Sequence, residues 1–467
     1  MRKNILYIAY YFPPLAGSGV QRTLKFIKYL PMYNKYPVVV TVKEGHNFAY
    51  DEEMIKEVPD SVKVYRSNSG ESLWLRKQIE NANKVILSIK KRRNLKNKNE
   101  IIIENNNKKE KDLTSDITIK DKIFKYLEYN YYIPDTKVRW YKNAVKDVFG
   151  RVLKNEEIDL IFSTSAPYTD HLIALEIKKK TNKPWVVDLR DPWVGNKFIY
   201  DRYDEKRKAK EIELEAEVIK YADKVINVTE DITNMYIERY PEYKEKFITI
   251  TNGFDISDKV EENIKSKKFI INYSGIVVDG QSPEIFLKAV EELILTNSNF
   301  KEDLLVNFTG SIIDKYTYLF ENENIKDNIK INGYKPHDIV LKEMKQSSIN
   351  LLILPDTEES KGIYSGKIFD YILSEKPILG IMPLGGVASE LINSKKIGIA
   401  VEYNDLDAIR NFIEETYVSW KNGTDLNTSA ISICNEFDRI NLTKRLSDVF
   451  DELMWWNEYK RILLRKF

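Results

Sequence analysis

Residues 1–31 read MRKNILYIAYYFPPLAGSGVQRTLKFIKYLP. An apolar run over 4–10 breaks at Pro13-Pro14, passes Gly17 and Gly19, and enters a basic amphipathic helix expected from about Val20. A strand that feeds a helix through a glycine turn is the building unit of a doubly wound α/β sheet. Glycines there have two readings. One is a tight turn; the other is an anionic ligand resting on the free N–H groups and positive dipole end of the helix. The stretch GSG alone is neither a Walker loop nor a full dinucleotide pattern, so neighbouring motifs must decide.

The same unit recurs. Strand-like runs at 4–10, 37–42, 62–67, 159–165, 184–189, 224–229 and 247–251 alternate with helical periodicities such as 168–181 and 205–222. Runs this apolar, separated by helices, indicate a parallel sheet covered on both faces. The pattern restarts after TNGFD (251–255). Strands are expected at 269–275, 304–310, 329–333, 349–355, 377–383 and 397–403, with helices at 282–295, 337–348 and 407–420. Two doubly wound α/β units therefore share one chain, with a polar junction near 252–266. The expected organisation is a first domain over 1–255, a second over 256–435, and a helical segment 436–467 crossing back to the first. Trp455-Trp456 marks that last helix as one that docks.

Composition narrows the function classes. The 467 residues exceed one compact core, which suits two domains of roughly 200 residues each. Lys+Arg total 73 against 71 Asp+Glu, a net charge of +2, which argues against a chain built overall for nucleic acid. One cysteine, Cys434, excludes a disulfide framework or a cysteine-based metal cluster and fits a reducing compartment. The first residues lack a small-residue cleavage site, and no apolar run approaches the ~20 residues of a membrane span. A cytoplasmic protein is expected, associated with the inner face of the cell membrane if anything. The tract around 90–118 is rich in Lys and Asn. It reads either as an insertion without a packed core or, with the basic helix before it (75–93), as a patch for anionic lipid.

Ligands of such sheets bind beyond the carboxyl ends of the strands. STSAPYTDHL (163–172) and DLRDPW (188–193) put His171, Asp188, Arg190 and Asp191 there. Taken with 11–31, TNGFD, YSGIV (273–277) and SGKIFDYILSEKPILGIM (365–382), these motifs resemble bacterial glycosyltransferases of family 4, retaining enzymes of the GT-B fold. The resemblance spans nearly all the chain except the Lys/Asn tract.

It implies a nucleotide-diphosphate sugar as donor substrate held mainly by the second domain, a saccharide or lipid-linked acceptor held mainly by the first, and no metal or other cofactor. Asp370 then accepts hydrogen bonds from the ribose hydroxyls, since both carboxylate oxygens accept. Gly366 and Lys367, at a helix start, meet the diphosphate, with Gly19 and Arg22 facing them. Gly275 and Gly310 let the nucleotide lie against backbone, and Tyr334 to Pro336 flank the base. His171 is expected to face the cleft and contact the donor sugar, with Asp191 as the second catalytic residue. Gly17, Asp188 and Arg190 are assigned to the acceptor, with bracing of Arg190 by a carboxylate as the structural alternative. The DLD at 405–407 is better explained by a helix N-cap than by a metal.

Two departures from the family pattern stand out. No cation lies between Gly275 and Lys288, where the family carries an Arg and a Lys, and Asp279 adds negative charge instead. The paired glutamates are also missing: Gly362 occupies the first position and Asp370 the second, while Glu358, Glu359 and Lys361 sit in a longer loop. The leading function is sugar transfer in bacterial surface-polysaccharide synthesis. A nucleotide-sugar epimerase of the same architecture and a degenerate nucleotide-sugar-binding partner are the alternatives.

Overall fold

The computed structural model describes residues 2–44, 49–70, 132–196, 200, 203–261, 266–424 and 426–464. The Lys/Asn tract, the basic helix expected before it and His46 lie outside the described residues.

Among the described residues nine strands precede the junction: β1 (Lys3–Ile8), β2 (Leu15–Ala16), β3 (Lys35–Val42), β4 (Ala49–Tyr50), β5 (Lys63–Ser67), β6 (Leu160–Thr164), β7 (Trp185–Leu189), β8 (Lys224–Asn227) and β9 (Phe247–Thr249). Seven form one sheet in the order β5-β3-β1-β6-β7-β8-β9, every pairing parallel. The short pair β2 and β4 is antiparallel and stiffens the opening turn. After the junction come β10 (Phe269–Ser274), β11 (Leu304–Thr309), β12 (Ile329–Gly333), β13 (Ile349–Ile353), β14 (Ile378–Ile381) and β15 (Gly398–Val401). They form a second parallel sheet, β12-β11-β10-β13-β14-β15. Both orders run outward from a central strand in two directions, so each sheet has a switch point where adjacent strand ends part and leave a crevice.

The helices that matter for the site are α1 (Ser18–Tyr29), α2 (Thr169–Thr181), α3 (Glu205–Tyr221), α4 (Glu230–Arg239), α5 (His337–Gln346), α6 (Gly366–Ser374) and α7 (Arg439–Leu464). They cover sheet faces made of fully buried strand residues such as Leu6, Ile8, Val38 and Val40. Helix α7 returns to the first domain, as expected, but its two tryptophans do not dock it. Trp455 is 65% and Trp456 49% exposed, while Leu442, Leu446 and Phe450 are buried against Tyr7, Phe26, Phe162 and Val186. The apolar stripe at i, i+4, i+8 decides which face turns inward, and the aromatic pair lies off it.

Two stretches of chain cross side by side between the domains. Phe254 N–H donates to the Phe437 carbonyl (3.1 Å), and Arg439 N–H donates to the Phe254 carbonyl (2.8 Å). Gly253 permits this contact: a Cβ there would run into the Phe437 carbonyl and the Leu442 side chain. That is the physical content of TNGFD.

Candidate functional site

The carboxyl ends of the two sheets face a cleft of about 1890 Å³ lined by both domains. On the first-domain wall, the chain leaving β2 reaches Gly17 at φ +115°, a conformation that favours glycine, and enters α1 with no side-chain cap. Arg190 holds this turn from behind. Its guanidinium donates to the Gly19 carbonyl (2.7 Å) and to the Ser165 carbonyl. Asp191, next in the chain, is exposed on the same wall.

On the second-domain wall, the turns after β10 and β11 lie against each other. Gly275 (φ +124°) and Gly310 (φ +132°) are both in the glycine-favoring region; a Cβ on Gly310 would meet the Gly275 carbonyl, and one on Gly275 would meet the Lys367 side chain. Their missing side chains leave a flat backbone floor. Lys367, in the first turn of α6, donates to the Tyr273 hydroxyl (2.7 Å) and lies 4.2 Å from that ring's centroid. Burial lowers its pKa to about 8. Asp370, one turn on, faces His337 at the start of α5, with Oδ2 3.6 Å from Nε2. That contact raises the imidazole's pKa. Tyr334 stands 87% exposed on the rim.

Gly17, Gly19, Arg190, Asp191, Gly275, Gly310, Tyr334, Gly366, Lys367 and Asp370 thus share one cleft. Three expected site residues do not. Arg22 is buried beneath α1, paired with Asp188 (2.8 Å), and donates to the carbonyls of Ile250 (2.8 Å) and Thr251 (2.7 Å). Helical periodicity turns this position inward, so Arg22 grips the outgoing crossover rather than a donor. Asp188 is buried in turn, accepting from Arg22 and from Thr164 (2.7 Å); it does not line the cleft, and Arg190 bonds the Ser165 and Gly19 carbonyls instead. His171 is fully buried on the inner face of α2, its Nδ1 2.9 Å from Ser163 Oγ and its ring 6.3 Å from that of Trp193. Burial lowers its pKa to about 3, so it is neutral and cut off from the cleft. Trp193 stacks on Tyr168 and donates to Glu211 (2.7 Å).

The departures acquire partners. The charge of Asp279 is met by Lys315 at 2.6 Å. Gly362 takes part in the contact between the domains, its carbonyl accepting from Thr229 Oγ1 at the N-cap of α4 (3.1 Å). Glu358 pairs with Lys361 (2.8 Å) on the cleft wall. Asp405 accepts from Ala408 N–H as a helix cap (3.0 Å). The acidic trio Glu57, Asp255 and Asp258 has metal-like spacing, but the Lys25 ammonium lies 2.7–3.1 Å from all three. Sequence reading missed Arg439, which lines the cleft from the start of α7, and the pairing of His337 with Asp370. Their only signals were a basic residue opening the crossing helix and a histidine opening α5.

Residues 124–258 match the model of Glycosyltransferase Family 4. The match covers less than a third of the chain. The resemblance read from the motifs is thereby borne out, and glycosyltransferase is the enzyme class the match supports. No curated protein matches the chain. Among solved structures, a glycosyltransferase from Rickettsia africae ESF-5 superposes with a TM-score of 0.57 at 16% identity, covering 97% of this chain and 99% of its own. Anabaena HepE in complex with UDP gives 0.58 at 12% identity, covering 96% and 100%. S. aureus TarM in complex with Fondaparinux, alpha-GlcNAc-glycerol and UDP gives 0.57 at 13%, covering 96% and 99%. At these identities the likeness is one of fold: two facing parallel sheets in the GT-B arrangement. Among the described residues no helix is long and apolar enough to cross a membrane.

Proposed function

We propose that this chain is a retaining glycosyltransferase that moves a sugar from a nucleoside-diphosphate sugar to a saccharide or lipid-linked acceptor in building a bacterial surface polysaccharide. One observation carries the reading. Gly275, Gly310, Lys367 and Asp370 meet on one wall of the cleft, opposite the Gly17–Gly19 turn and Asp191. The backbone floor accommodates a flat nucleotide, and Asp370 offers two acceptor oxygens to vicinal ribose hydroxyls. Breaking the sugar–phosphate bond leaves charge on the diphosphate, which the Lys367 ammonium and the uncapped N-terminus of α6 stabilise without a metal. In a front-face reaction the departing phosphate takes the acceptor's proton, and Asp191 orients the acceptor hydroxyl. His171 is given no direct part, because it is fully buried and does not line the cleft. The basic tract of 75–118 supports contact with an anionic, cytoplasm-facing membrane surface where a lipid-linked acceptor would sit.

HepE was solved with UDP and with UDP-glucose, so UDP-sugars are the first donors to test. The experiment measures nucleotide release from UDP-, GDP- and ADP-sugars and reads the product anomer by NMR. Transfer with retention is expected. Release of an epimerised nucleotide sugar, or binding without turnover, would overturn the proposal. Asp370→Ala is expected to weaken nucleotide affinity about tenfold or more, since a charged hydrogen-bond partner is lost.

A further inference from the structure

A diphosphate needs positive charge, and the turn after β10 brings none. Most cations of the cleft wall are already engaged. Lys25, Lys335, Lys361 and His337 each face a carboxylate, and Arg190 is bound to the carbonyls of the opening turn. Lys342 is exposed. Lys367 lies beneath the Gly275 turn.

Arg439 differs from all of them. It lines the cleft, is only 6% exposed, and its Nη1 is buried with no hydrogen-bond partner among the described residues. Its backbone is fixed by the bond to Phe254 at the domain crossover. Arg22 repels it, while Asp255, Asp370 and Asp188 draw it electrostatically, and none of these three carboxylates forms an ion pair with it. A desolvated guanidinium with an unmade N–H bond destabilises a fold, and a ligand that completes it removes that cost. Arginine is also the residue whose planar fork matches phosphate oxygens.

We propose that Arg439 is an anion-binding residue of the cleft that takes the diphosphate of the donor, so that Lys367 and Arg439 replace the cation pair missing after Gly275. The identity of the anion rests on the transferase reading; the anion site does not. Because Arg439 is delivered by the segment paired with the interdomain crossover, the donor's charge is held at that crossover.

The test compares wild type, Arg439→Met and Arg439→Lys by calorimetry and thermal unfolding, with UDP, GDP, ADP, the matching nucleosides and inorganic pyrophosphate as probes. Arg439→Met is expected to weaken nucleoside-diphosphate and pyrophosphate binding by about tenfold to a hundredfold, with nucleoside binding unchanged and partial recovery in Arg439→Lys. The unliganded Tm of Arg439→Met should stay level or rise, which a structural arginine would not allow. Unchanged diphosphate affinity, or a lowered Tm with nucleoside binding lost in parallel, overturns the proposal. Pyrophosphate binding that depends on Arg439, without binding of any nucleotide, would keep the anion site and sink the transferase reading. Nucleotide binding indifferent to Arg439 would do the reverse, and a wild type that binds nothing sinks both.

Discussion

Lys367 and Arg22 show how far neighbours decide what a cation does. Lys367 is pressed against the Tyr273 ring, and burial brings its pKa down to about 8. Its charged form, the one that attracts phosphate, is complete below that pH and is lost as pH rises through it. UDP affinity should therefore fall between about pH 7.5 and 9, and Lys367→Met should abolish that dependence; calorimetry across the range checks it. Arg22 spends its charge inside the protein. It is paired with Asp188 and bound to two carbonyls of the crossover. Removing one partner of a buried ion pair strands the other, so Arg22→Ala should cost about 3–5 kcal/mol of stability in urea unfolding. Asp188→Ala should cost as much, and the double variant less than the sum, because the stranded charge has gone.

At the scale of elements, the decisive junction is the paired crossover and the helix it launches. Gly253→Ala would press a methyl group into the Phe437 carbonyl and Leu442. Overpacking of this kind costs about 1–3 kcal/mol, readable as a lowered Tm. Helix α7 is held by its buried stripe, so Leu446→Ala should cost about 2–5 kcal/mol by cavity formation, whereas Trp456→Ala should change stability little. A result in which Trp456 matters more than Leu446 would mean that α7 packs through its other face.

At the scale of the molecule, the linker between the domains is tied to the first domain by Lys25, Lys28, Glu57, Asp255 and Asp258. Burial alone would raise the Asp255 carboxyl. Lys25 overcomes this, helped by hydrogen bonds from Tyr29, Lys25 and Ser257, and holds it well below the usual carboxylate range. A carboxyl depressed on folding contributes stability that is complete above its unfolded pKa of about 3.9 and is lost as pH falls toward the folded value. Asp255→Asn should accordingly flatten the acid limb of the Tm-versus-pH curve below about pH 4 while lowering stability near neutrality.

Strand and helix order, both sheets, the crossover and the return of the last helix were legible from residue order, because apolar runs of the right length state their own burial. The place of the glycine turns and of Asp370 in the cleft was legible as well, since the motifs that resemble the family carry them. The inward turn of Arg22, Asp188 and His171 was not, because a charged or polar residue beside a strand end looks the same from either face. Trp455 and Trp456 misled for a related reason: size suggests docking, but only the neighbouring sheet selects which stripe of a helix is covered. Arg439 became visible only when the chain folded back, since its proximity to Asp370 and Phe254 comes from tertiary closure, where burial, charge and the missing partner meet.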